Sequence, residues 1–206
     1  MYSTVSLPAP GARPCESTKK KIKAVIFAKR ILIEIIMQAS TVNFYSLGYK
    51  KIQTYGLAAL FVLGNILLPQ LCHLVHQGGI VWLPIYFFTL IGAYKYGWKV
   101  GLLVALASPL VNSALFGMPA VAALPAILLK SVLLAVAAGY TATKFQKVSL
   151  LLLLGVVLFY QTVGTLGEWA IKGNFYLAVQ DFRMGVPGML VQVIGGWLVI
   201  KYLMRK

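Results

Sequence analysis

The hydrophobic pattern of this chain is neither the period-two alternation of a half-buried strand nor the narrow apolar stripe of a soluble helix. It is a series of nearly unbroken apolar runs, each close to the ~20 residues that a helix needs to cross the hydrocarbon of a bilayer. Six such runs are read at 53–72, 79–95, 99–117, 120–142, 149–170 and 183–203. The second is short and interrupted by Pro84. The connections between runs are short, so the pattern predicts an all-α membrane protein built as a compact bundle of six transmembrane helices. No soluble domain of any size and no internal repeat stands out.

Composition agrees. The chain has 206 residues, of which 60% are hydrophobic and 11% charged. A soluble domain carries roughly a quarter charged residues. The net charge of +15 first suggests nucleic acid, but its placement points elsewhere. Lys50 and Lys51 precede the first run, Lys95 and Lys99 join the second to the third, Lys144 and Lys147 join the fourth to the fifth, and Lys201, Arg205 and Lys206 close the chain. The alternate loops hold Lys172 and Arg183. Basic residues in short loops favour the cytoplasmic side, so both termini are expected there and no nucleic-acid partner is needed.

Residues 1–52 form a basic N-terminal extension, and residues 53–206 form the membrane domain. Within the extension, KKKIKAVIFAKRILIEIIMQ is apolar but broken by Lys29, Arg30 and Glu34. It reads as an interfacial helix on anionic lipid, or else as sequence upstream of a start at Met37. It lacks the cleavage site of a signal peptide.

Polar residues inside the apolar runs mark candidate chemistry. In VGLLVALASPLVNSALFGMP, Pro109 cannot donate to the carbonyl of Ala105, and in lipid that carbonyl needs a partner or a protein-lined cavity. Ser108, Asn112 and Ser113 lie near the same helical face, where they either satisfy the kink or face a polar pocket. Lys130 sits in the middle of the fourth run, where a lysine costs ~3 kcal/mol on insertion scales and marks a functional site by default. The chain holds four acidic residues, Glu16, Glu34, Glu168 and Asp181; none is expected at the depth of Lys130, and a structural pair would have to use Glu168 near the outer end of the fifth run or Asp181 in the last outer loop. An anionic ligand would supply the missing partner. Gln161, Glu168 and Trp169 at the end of the fifth run, and His73 in LPQLCHLVHQGG, complete the candidate binding set. The Trp and Tyr residues here also fit an interfacial belt. Cys72, His73 and His76 lack further ligands in sequence, so no metal and no cofactor is assigned.

The run LPQLCHL, then Leu83-Pro84, Trp98-Lys99-Val100-Gly101, Ser108-Pro109, Gly117-Met118-Pro119 and Leu124-Pro125 resembles the substrate-binding S component of energy-coupling factor transporters, most closely the vitamin-type branch. The resemblance covers about residues 55–145. It implies a six-helix bundle in a prokaryotic cell membrane with a vitamin pocket near the outer face. It also implies docking to a membrane coupling subunit driven by two ATPase subunits. Small residues for that docking are assigned to Ala58, Gly101 and Ala105, because close helix approach needs small side chains. The family often has an acid in the fourth span where this chain has Lys130, and that swap points to a carboxylate-bearing vitamin. The metal-transporting branch carries an N-terminal Met-His pair, which Met1-Tyr2 does not match. With no Walker motif, the expectation is a binding and uptake subunit, not an enzyme. A self-sufficient permease is the alternative, and an intramembrane enzyme would need a constellation of catalytic groups that no known motif supplies.

Overall fold

The computed structural model describes residues 25–26, 40–41, 49, 51–72, 74 and 78–204. The chain falls into two units, Met1–Met37 and Gln38–Lys206. In the first, only Val25 and Ile26 are described, and both are helical. The interfacial-helix reading of the extension and the start at Met37 therefore lie outside the described residues.

The second unit is a helical bundle. Its elements are β1 (Ser40–Thr41), α1 (Ile52–Cys72), α2 (Gly78–Trp82), a 3-10 turn (Pro84–Tyr86), α3 (Phe87–Tyr96), α4 (Trp98–Phe116), a second 3-10 turn (Val121–Ala123), α5 (Leu124–Phe145), β2 (Lys147–Val148), α6 (Leu150–Lys172), α7 (Phe175–Met184) and α8 (Val186–Met204). Five helical stretches are long and apolar enough to cross a membrane: Ile52–Cys72, Trp98–Phe116, Val121–Phe145, Leu150–Lys172 and Val186–Leu203. Large apolar side chains such as Leu60, Leu63 and Leu67 of α1 and Leu151, Leu158 and Leu166 of α6 face outward. Outward-facing leucines on helices of this length suit lipid, not water. The protein is an all-α, multi-pass membrane protein.

The remaining apolar run, expected at 79–95, is broken into α2, the 3-10 turn and α3. The break falls at Leu83, whose φ of 46° is left-handed, a conformation that disfavours any residue with a Cβ. Pro84 follows, so Leu83 cannot continue α2 as a helix without a clash. Two contacts hold the break. Gln192 Nε2 in α8 donates to Leu83 O at 3.4 Å, and Tyr160 OH in α6 donates to Gln192 Oε1 at 2.9 Å. The two pieces together still run the length of the bundle, because Gly188 at the start of α8 sits against Trp82, while Lys95 Nζ donates to Leu203 O near the end of α8.

That second end also gathers the short strands. Ser40 pairs with Val148 and Thr41 with Lys147, and Tyr94 OH donates to Lys147 O at 2.7 Å. Ser40 and Thr41 thus pack with the bundle, although they precede residue 53, where the sequence places the start of the membrane domain. Lys99 sits 5.2 Å from the ring centroid of Tyr49.

Helices pack closely where side chains are small. A Cβ on Gly139 of α5 would overlap Trp98 of α4, and one on Gly101 of α4 would overlap Ala93 of α3. Ala58 and Ala105 are buried in the core. Ala58, Gly101 and Ala105, assigned from the sequence to a partner surface, are all buried within the bundle in this structure. They face inward, because the α1–α3–α4 contacts themselves need the small residues. Gly101→Leu in the purified protein, with no partner subunit present, should lower the thermal unfolding midpoint, since overpacking of this kind costs about 1–3 kcal/mol. An unchanged midpoint would return Gly101 to the partner-facing residues.

Candidate functional site

Two prolines sit inside long helices, Pro69 in α1 and Pro109 in α4. Pro69 has no N–H, so the carbonyl four residues earlier, on Asn65, loses its helical partner. Asn112 supplies one. Its Nδ2 donates to Asn65 O at 2.8 Å. The amide thus serves the break in the neighbouring helix, not the kink in its own. The Asn65 side chain returns the favour to other elements. Its Nδ2 donates to Thr89 Oγ1 and to Ser108 Oγ, both at 3.0 Å, and its Oδ1 accepts from Phe88 N in the first turn of α3 at 3.2 Å. Four buried polar residues, Asn65, Thr89, Ser108 and Asn112, thereby tie α1, α3 and α4 together. Ser113 is tied to the following loop, donating to Pro119 O at 2.9 Å.

Beside this network lies a cavity of about 480 Å³, within the range of small-molecule sites. Pro69, Pro84, Ile85, Met118, Pro119 and Ile127 contribute to its apolar walls, and Asn112, Glu168, Lys172 and Gln180 contribute polar groups. It sits at the end of the bundle away from Lys95, Lys147 and Lys201, where α4 and α6 finish and α5 starts.

Glu168 is the electrostatic centre. Its Oε2 accepts from Lys130 Nζ at 2.5 Å, and its Oε1 accepts from Lys172 Nζ at 2.5 Å. The Lys130 and Glu168 side chains are 1% and 2% exposed, and that of Lys172 is 32% exposed. The expectation that Lys130 lacks a carboxylate at its depth is therefore corrected. Lys130 is the seventh residue of α5, because that helix begins at Leu124, and helical side chains lean toward the helix N-terminus. Lys130 accordingly leans toward the cavity end, whereas Glu168, in the last turn of the antiparallel α6, leans deeper. The stem of Lys130 lies on Gly164, where an added Cβ would meet Lys130 Cγ at 2.5 Å.

Two lysines thus share the Glu168 carboxylate. Lys172, read from sequence as a loop charge, is the site residue that sequence reasoning missed. The signal for it was its spacing of four from Glu168 on a helix. Gln180 of α7 was missed as well. Of the expected set, the structure brings Asn112 and Glu168 to the cavity wall and Lys130 to Glu168. Trp169 is exposed and stacks edge-on with Phe175, centroids 5.5 Å apart. Gln161 is buried in α6, and neither atom of its amide has a partner among the described residues. Neither Trp169 nor Gln161, nor Ser113, is in the cavity wall. His73 lies outside the described residues. Among the described residues, no three His, Cys, Asp or Glu side chains converge as metal ligands.

Comparison with protein-family models, with curated proteins and with solved structures gives no match.

The lysine pair yields an asymmetric prediction. Glu168→Gln removes the carboxylate that Lys130 and Lys172 share, and breaking a buried pair in this way costs about 3–5 kcal/mol. Lys130→Met leaves Glu168 still paired with Lys172. Thermal unfolding in nanodiscs should rank Glu168→Gln as clearly less stable than Lys130→Met. The reverse order would mean that Lys172 does not hold Glu168 in solution.

Proposed function

We propose that this chain is the substrate-binding subunit of an ATP-driven importer for a small, water-soluble, carboxylate-bearing vitamin, of the kind seen in the S components of energy-coupling factor transporters. In this reading the bundle crosses a prokaryotic cell membrane six times, with the two-piece 78–96 segment as the second crossing and both termini cytoplasmic. A membrane coupling subunit and two ATPase subunits supply the energy.

The observation that carries the reading is the cavity with Glu168 held between Lys130 and Lys172. The Lys172 ammonium, partly open at the cavity wall, favours an anionic group on the ligand, because opposite charges attract. The ligand carboxylate takes Lys172, which is partly open, while Lys130 keeps Glu168. Placement supports import. Lys95, Lys99, Lys144, Lys147 and Lys201 lie at the ends of helices remote from the cavity. Basic ends stay in the cytoplasm, which leaves the cavity facing outward, where an importer must capture its substrate.

Four measurements test this. Mass spectrometry of small molecules released from mildly purified protein should find a carboxylate of cavity size, and a cationic ligand instead would remove the electrostatic argument. Lys172→Met should weaken binding of that ligand about ten- to a hundredfold, the worth of a hydrogen bond to a charged group, with little change in thermal midpoint. Cysteines introduced beside Lys95 and Lys99 should be shielded from an impermeant thiol reagent in intact cells, and one beside Asn174 should react. Uptake should also require the coupling and ATPase subunits in trans. Full uptake in cells lacking every such ATPase would establish the self-sufficient permease in its place.

A further inference from the structure

Asn112 uses only half of its amide. Nδ2 is committed to Asn65 O, while Oδ1 is buried and has no hydrogen-bond partner among the described residues. The orientation is not arbitrary. A carbonyl can only accept, so the amide group facing Asn65 O must be the NH2, and turning the amide over would set oxygen against oxygen. The acceptor therefore stays fixed in a residue of the cavity wall, in a wall otherwise made mostly of proline, methionine and aliphatic side chains. A buried acceptor left without a donor is unfavourable by about the value of a lost hydrogen bond.

We propose that Asn112 Oδ1 is a specificity contact, and that the ligand carries a hydrogen-bond donor, a hydroxyl or an amide-type N–H, in addition to its carboxylate. The inference rests on the proposed function and narrows its substrate class. A carboxylate joined to a purely apolar or acceptor-only body fills the lysine end and leaves Oδ1 unpaired. A carboxylate whose body also presents an O–H or N–H satisfies both. Discrimination of this kind is strong, because the polar group in the site penalises every analogue that lacks the matching donor.

Asn112 also supports α1, so a simple truncation confuses binding with folding. Pro69→Ala separates the two. Alanine restores an N–H at position 69, which can return to Asn65 O as an ordinary helical bond, and Nδ2 becomes dispensable. Pro69→Ala then serves as the parent for Pro69→Ala/Asn112→Leu. The probes are biotin and pantothenate, which have a carboxylate and donors; lipoate and nicotinate, which have a carboxylate and no other donor; and pantothenol, which has donors and no carboxylate. Binding is read by calorimetry on the full chain in nanodiscs.

The unsubstituted protein should bind biotin or pantothenate and neither lipoate nor nicotinate. The double variant should keep the thermal midpoint of Pro69→Ala and bind the same probe about tenfold more weakly. If lipoate or nicotinate binds as well as the donor-bearing pair, or if the double variant binds as tightly as Pro69→Ala, the role of Asn112 is confined to α1 and the inference is overturned while the anion-binding function stands. If pantothenol alone binds, or if none of the five binds, the anionic reading fails and the inference fails with it.

Discussion

A single hydrogen bond, from Asn112 Nδ2 to the Asn65 carbonyl, sets the terms for the rest of the bundle. In hydrocarbon there is no water to serve a backbone carbonyl that a proline has orphaned, so the protein must bring a donor to it. That donor comes from α4, which fixes how closely α4 approaches α1 and at what height. Once Asn65 is held there, its side chain reaches both Thr89 and Ser108, and the start of α3 is held by its Oδ1. The breaks at Pro69 and Pro84, together with the loop at Pro119, all contribute to one cavity wall. Irregular backbone is tolerated at membrane depth where it is buried in protein or lines a cavity, and here the same residues answer both needs.

The charges obey a similar economy of partners. An isolated buried lysine would be strongly unfavourable, and Glu168 relieves it. The same carboxylate would sit poorly at the C-terminal end of α6, where the helix dipole disfavours anions, and the two lysines offset that. Replacing such a cluster with apolar residues is often neutral or stabilising in other proteins.

Long apolar runs were legible in the sequence because the bilayer demands them. The runs read at 53–72, 99–117 and 149–170 lie within about two residues of α1, α4 and α6. Hydropathy places the start of the last run at 183, but Phe175–Met184 forms a separate helix and α8 begins at Val186. Hydropathy alone does not show such a boundary. The polar residues that matter were also visible, since an asparagine, a lysine and a glutamate in apolar surroundings stand out. Their partners were not. Whether Lys130 meets Glu168 depends on the register of α5 against α6, which the Val121–Ala123 turn and the contact of Gly164 with the lysine stem help to set. Hydropathy has no register between helices. Asn112 stands out in the sequence as an amide near a proline, but the proline it serves lies 43 residues away in sequence, and no local pattern connects them.

The broken 78–96 segment has a consequence for the order of assembly. Its helical pieces, five and ten residues long, are shorter than what holds together as an isolated helix. They also rely on distant residues: Phe88 N on Asn65, Leu83 O on Gln192, and Gly92 on the ring of Phe61. During synthesis α1 precedes this segment and α8 comes last. The middle of the chain therefore cannot take its final shape when it is made. It waits for the last helix, so the cavity, whose wall includes Gly79, Pro84 and Ile85, is completed only when the whole chain is present.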